Sequence, residues 1–129
     1  MTDPDDLAHF LVLIGTAARS PEAKKTFIKE KLHIKLLQAG ARFPENLKLI
    51  GNLSYALSAM AYVQPDVCLE VVRQKSEMGA LLNKYATHWD NRAIVESGAC
   101  LIANLAYSNE EVKEQLRQLQ CSAILLGVF

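Results

Sequence analysis

The stretch Asn46-Leu47-Lys48-Leu49-Ile50-Gly51-Asn52-Leu53-Ser54-Tyr55-Ala56-Leu57-Ser58-Ala59-Met60-Ala61-Tyr62 decides the fold. Its apolar residues Leu49, Leu53, Ala56, Leu57 and Met60 step by 4, 3, 1 and 3, which is one face of an α-helix. Ile94, Gly98, Leu101, Ile102 and Leu105 repeat the pattern 45 residues on. Near the start, Phe10, Leu13, Ile14 and Ala17 supply the corresponding places. No segment alternates strictly between apolar and polar residues, so strands are not expected.

Two further markers share that period. Turn signals fall at Ala18-Arg19-Ser20-Pro21-Glu22, Ala61-Tyr62-Val63-Gln64-Pro65-Asp66 and Ala106-Tyr107-Ser108-Asn109-Glu110-Glu111. Pro21 to Pro65 is 44 residues and Pro65 to Glu110 is 45. The leucine pairs Leu36-Leu37, Leu81-Leu82 and Leu125-Leu126 follow at steps of 45 and 44. A fixed period of this size marks stacked structural repeats.

Each unit reads as three helices. A long one covers about Asn46 to Tyr62 and again Asn91 to Tyr107. A second starts at Pro65 or Asn109, with Val67 and Val71 matching Val112 and Leu116. A short third carries the leucine pair. Pro21 and Pro65 suit a first helical turn, where the missing N–H is no loss. Thr2 or Asp3 caps a helix opening at Pro4, with Asp5 and Asp6 favourable to its dipole. Asp90 is the expected cap of the helix near Asn91, and Ser108 with Glu111 reads as a capping box. Breaks fall at 40–44 and 87–90. Their aromatics, Phe43 and Trp89, are expected to staple the chain as it enters the long helix; stacking on a ligand is the alternative.

Composition bounds the class. The chain has 129 residues, half of them hydrophobic and 22% charged, with 14 basic against 14 acidic groups. That is one domain with a substantial core rather than a disordered segment. A zero net charge argues against DNA packing. The apolar run Phe10 to Gly15 is far short of the ~20 residues a membrane span needs. Asp3, Asp5 and Asp6 precede it where a secretory signal would be basic. Cys68, Cys100 and Cys121 are odd in number and lack CxxC spacing, so reduced thiols in an intracellular protein are expected, not disulfides or zinc.

Tyr55-Ala56-Leu57-Ser58-Ala59-Met60-Ala61 and Cys100-Leu101-Ile102-Ala103-Asn104-Leu105-Ala106 resemble the Trp-Ala-Leu-Ser-Asn-Ile-Ala pattern that ends the third helix of armadillo repeats. Ser108-Asn109-Glu110-Glu111-Val112 resembles the turn and first helix after it. That family repeats about every 40 to 47 residues as helices H1, H2 and H3; HEAT repeats are the near alternative. The resemblance implies an all-α fold, a right-handed α-solenoid. An H3-like helix at 4–19 is followed by a repeat at 21–62, a repeat at 65–107 and a partial repeat at 109–129, in a single domain. The glycine between H1 and H2 has its counterpart at Gly79. None occurs near Leu32 or Cys121, where the junction is continuous or differently bent. The apolar segment Ile124 to Phe129 lacks the polar face expected at a solenoid end. A piece of a longer solenoid, or ends covered by another subunit, is the expectation.

The resemblance also implies a groove lined by the H3 helices. In some members an Asn on each H3 bonds an extended peptide and a Trp one turn earlier packs its side chains. Here the Asn position reads Thr16, Ala59 and Asn104, and the Trp position Val12, Tyr55 and Cys100. An importin-like ladder for basic peptides is therefore not expected. The groove flank offers His9, Lys48, Asn52, Arg92, Glu96 and Ser97. Tyr55, Tyr62 and Tyr107 are its anchors, since tyrosine joins apolar area to a hydrogen-bonding tip; partial burial of Tyr55 between repeats and an inter-helix hydrogen bond from Asn104 are the alternatives.

No HExxH, nucleophile elbow or phosphate loop occurs, and His9, His33 and His88 are scattered. No enzyme, metal or cofactor is expected. Residues 22–48 carry a local surplus of basic groups, among them Lys24, Lys25, Lys29, Lys31 and Lys35. A solvated outer face is the plain account, and a contact for an acidic partner, a phosphopeptide or RNA the functional one. The expected function is a non-catalytic protein-interaction scaffold, cytoplasmic and also nuclear, that binds an extended or helical segment of another protein. The alternatives are a structural element that self-associates through its ends, or a regulator docking on a folded partner such as a small GTPase. Neither a membrane nor nucleic acid is the expected partner.

Overall fold

A computed structural model describes residues 3–119. Eight helices and no strand occur among them: α1 (Pro4–Ala17), α2 (Pro21–Lys29), α3 (Leu32–Ala41), α4 (Leu47–Ala61), α5 (Pro65–Arg73), α6 (Lys75–Thr87), α7 (Arg92–Ala106) and α8 (Glu110–Gln118). Thr2, Cys121, the Leu125-Leu126 pair and the closing apolar segment lie outside the described residues.

The helix starts follow from local chemistry. Asp3 caps α1, accepting from the Asp5 amide at 2.8 Å, and Pro4 opens the first turn. Asn46, Asn91 and Asn109 cap α4, α7 and α8, each with its side-chain oxygen on the amide three residues on. Each satisfies one of the amides that a helix start leaves unpaired. Two expected caps are thereby corrected by one position, from Asp90 to Asn91 and from Ser108 to Asn109. The reason is conformational. Asn91 and Asn109 are the last extended residues, so their side chains reach the third helical amide. With Asn109 as cap that third residue is Val112, and Glu111 falls outside a capping box.

Of the two described junctions, the one expected at Gly79 departs from expectation, and the one near Leu32 is bent without a glycine, one of its two expected forms. Gly79 lies inside α6, and the chain turns between α5 and α6 at Gln74. Between α2 and α3 the bend is made by Lys31, at φ 57° in the left-handed region that glycine normally supplies. Phe43 packs against the core, whereas Trp89 is 60% exposed and staples nothing.

Helices three apart in the chain stand side by side: α1 packs on α4, α4 on α7, α3 on α6, and α5 on α8. Leu49, Leu53, Ala56, Leu57 and Met60 are all buried, as are Ile94, Gly98, Leu101, Ile102 and Leu105. Each such leucine contributes about 1.5–3 kcal/mol on burial. The α1 stripe departs from expectation. Ile14 is buried beside Leu7, Ala8 and Leu11, but Phe10, Leu13 and Ala17 are exposed. On α4 the corresponding face is covered by α3, which sets Gly40 against Leu53. On α7 it is covered by α6, which sets Tyr85 against Gly98. No described helix stands in that place on α1.

The two covered contacts are related by 45 residues with large and small exchanged. An added Cβ at Gly40 would run into Leu53 Cδ2, and one at Gly98 would meet the Tyr85 ring at 2.8 Å. Close packing fixes the volume of the pair rather than the identity of either member.

No described helix is long and apolar enough to cross a membrane.

Candidate functional site

Successive long helices are pinned to one another by side-chain amides. Asn52 on α4 donates to the Ala8 carbonyl of α1 at 2.9 Å. Asn104 on α7 donates to the Ser58 carbonyl of α4 at 3.0 Å and to the Ser58 hydroxyl at 2.7 Å. The Ser58 hydroxyl also lies 3.0 Å from Cys100 Sγ. Asn104, the single asparagine at the expected peptide-binding position, thus spends its amide donors between helices. The Tyr55 ring rests on Gly15, where a Cβ would clash with it.

Five of the expected groove residues meet in one place. Tyr55, Ala59, Tyr62, Cys100 and Asn104 line an open depression of about 380 Å³ between α4, α7 and the α1–α2 corner. Tyr62 is 60% exposed beside it. The rest are dispersed. His9 lies 3.4 Å from Lys48 Nζ across α1 and α4. Arg92 and Glu96 pair with each other at 2.7 Å on the exposed side of α7. Val12, Thr16 and Tyr107 are exposed, Ser97 is half-buried, and none of the four lines this depression.

The basic stretch also divides. Lys31 pairs with Glu70 across α2–α3 and α5. Lys24 leaves the outer face altogether. It is half-buried, donates to the Tyr62 carbonyl at 3.1 Å and lies 5.6 Å from the centroid of the Tyr62 ring. Burial lowers its pKa from the ordinary lysine value. Lys24 joins Lys25, Ile28, Val63 and Gln64 around a second depression of about 590 Å³ that shares Arg19, Lys24 and Tyr62 with the first. Lys25, Lys29 and Lys35 are exposed, and no described carboxylate pairs with them.

Sequence reasoning missed Arg19 and Ser58. Arg19 lies in a quoted turn signal, 43 residues before Tyr62, the same interval that separates the capping residues Asp3 and Asn46. That interval is the signal that would have placed it beside Tyr62. Ser58 carries no such mark, because only the stacked helices show that it receives Asn104.

Away from this surface, His33 is fully buried and its Nε2 lies 3.4 Å from Glu70 Oε1. Burial pushes its pKa below the ordinary histidine value, against the pull of Glu70. The Lys31 ammonium in turn holds the Glu70 carboxyl below its usual range. Cys68 is a buried thiol whose pKa is raised by burial. No described group of three or more His, Cys, Asp or Glu residues is arranged to hold a metal ion.

Set beside protein-family models, curated proteins and solved structures, the chain matches none of them.

Proposed function

We propose that the chain is a non-catalytic protein-interaction module, an armadillo-type α-solenoid that binds an extended or helical segment of another protein across α4 and α7. One observation carries the reading. Stacking of α1, α4 and α7 leaves tyrosines, a thiol and small residues on one open depression instead of closing it into a core. Rigid aromatic anchors beside such a depression are what a peptide hot spot requires. The repeat interval supports the armadillo assignment, because it joins caps, stripes and seams alike. Cys68 and Cys100 are both free thiols, which accords with work in the cytoplasm or nucleus.

The test is selection of a random-peptide library against the wild-type chain, followed by fluorescence anisotropy with the most enriched peptide. Tyr62→Ala and the bulkier, uncharged Ala59→Gln are expected to weaken binding at least about tenfold while circular dichroism stays helical. An enriched peptide whose affinity neither variant moves refutes the reading, and so does a library that enriches nothing.

A second reading, association with another copy, is favoured by one observation. Phe10 is 42%, Val12 41% and Leu13 66% exposed on α1. Sedimentation that shows concentration-dependent mass, abolished by Leu13→Glu, supports it; a constant mass of one chain removes it.

A further inference from the structure

The two depressions share a cationic rim that the groove reading does not use. Arg19, Lys24 and Tyr62 line both, and Lys25 lines the second. No described carboxylate lines either depression or pairs with Arg19, Lys24 or Lys25. Six cations elsewhere, Lys31, Arg73, Lys84, Arg92, Lys113 and Arg117, have acidic partners, whereas Lys29, Lys35, Arg42, Lys48 and Lys75 have none among the described residues and line neither depression. Among the unpaired cations, Arg19, Lys24 and Lys25 are the three that border these depressions.

Lys24 is placed for a ligand. An ammonium has three protons to donate. The Tyr62 carbonyl takes one, and no other described residue accepts from it. The remaining donors sit on a half-buried group, where a charge interacts more strongly than in open water. The backbone beside it is strained. Val63 holds φ 53°, a left-handed conformation that a β-branched residue rarely adopts, and it sets Tyr62 and Val63 side by side, both exposed. Strain of this kind clusters at binding sites.

We propose that this corner binds the acidic part of an extended peptide: Asp or Glu side chains set against Arg19, Lys24 and Lys25, with a neighbouring apolar residue on Tyr62 and Val63. The inference rests on the peptide-groove reading and names the chemistry of its occupant. Charge complementarity selects the peptide. A nucleic acid would need a longer track of cations to neutralise successive phosphates, whereas here three cations are interleaved with Tyr62, Val63 and Ala59.

The same peptide selection tests it, with the enriched sequences scored for Asp and Glu. The most enriched peptide is compared by anisotropy with its Asn/Gln counterpart. The acidic form is expected to bind at least about tenfold tighter, and added salt to narrow the gap. Arg19→Glu and the pair Lys24→Glu/Lys25→Glu are expected to abolish that preference, and Lys29→Glu/Lys35→Glu to leave it. Arg19 is exposed, so Arg19→Glu reads the charge even where the lysine pair disturbs the Tyr62 carbonyl contact. Enrichment of uncharged peptides that still depend on Tyr62 overturns this inference and leaves the groove reading standing. Acidic peptides indifferent to Tyr62→Ala and Ala59→Gln overturn the groove reading and this inference with it. Equal loss with Lys29→Glu/Lys35→Glu, or tighter binding of single-stranded oligouridine than of any enriched peptide, overturns the inference.

Discussion

The seam between α3 and α4 and the seam between α6 and α7 occupy the same place in successive units, yet they are filled in opposite ways. In the first, glycine on the short helix receives leucine from the long one; in the second, glycine on the long helix receives tyrosine from the short one. The same interval turns His33, beside Glu70, into Met78, which is buried with no charge. It turns the left-handed Val63 into Ser108, outside that region. Units that share a backbone plan thus solve each local problem with different side chains, and the pair, not the residue, is what repeats.

The largest expected effect breaks the second seam. Tyr85→Ala removes a buried ring from Gly98 and the hydroxyl contact with Ser54, and is expected to cost about 3–5 kcal/mol in denaturant unfolding. Next is the first seam. Leu53→Ala should cost about 2–5 kcal/mol and Gly40→Ala about 1–3 kcal/mol through overpacking. Combined, they should cost less than their sum, because the space vacated by the leucine admits the new methyl group; strict additivity in a double-mutant cycle contradicts the volume exchange.

His33 against Met78 gives a pH test. The unfolded chain binds a proton at His33 near pH 6.5, while the folded chain resists it because burial holds the folded pKa lower. The unfolded state then carries more protons, so stability is full above about pH 6.5 and falls as the pH drops below it. His33→Met is expected to flatten this part of the thermal stability profile, leaving the acid limb to carboxylates such as Glu70. A profile unchanged by the substitution contradicts it. The smallest effect is expected at Val63. Val63→Asn or Val63→Gly suits the left-handed turn and should raise stability by up to about 1 kcal/mol. The same changes at Ser108 should bring no such gain in thermal melts.

Helices, their order and the buried faces of α4 and α7 were legible because spacing alone carries them. Caps were misplaced by one residue where two polar residues adjoin, since Asp90 and Asn91 look alike until the backbone shows which is still extended. Phe10 and Leu13 read as core because the pattern records which face is apolar, not whether a neighbour covers it. At Asn104 a peptide contact and an inter-helix hydrogen bond stayed open together, because its partner, the Ser58 carbonyl, is backbone and leaves no trace in the sequence. The compensating volumes at Gly40, Leu53, Tyr85 and Gly98 were hidden for a related reason: each residue has meaning only once its opposite number is known.

The amide pins at Asn52 and Asn104 have a consequence for drift over time. A carboxamide that grips a main-chain oxygen does not depend on the side chain its neighbour carries. Ala8 is therefore free to change identity, within its packing, without loosening the latch, while sliding along the axis is checked as by a pawl on a rack. Two small polar groups thus check the alignment of the bricks alongside the packed volume, and the oily surface between them can diverge only in matched pairs.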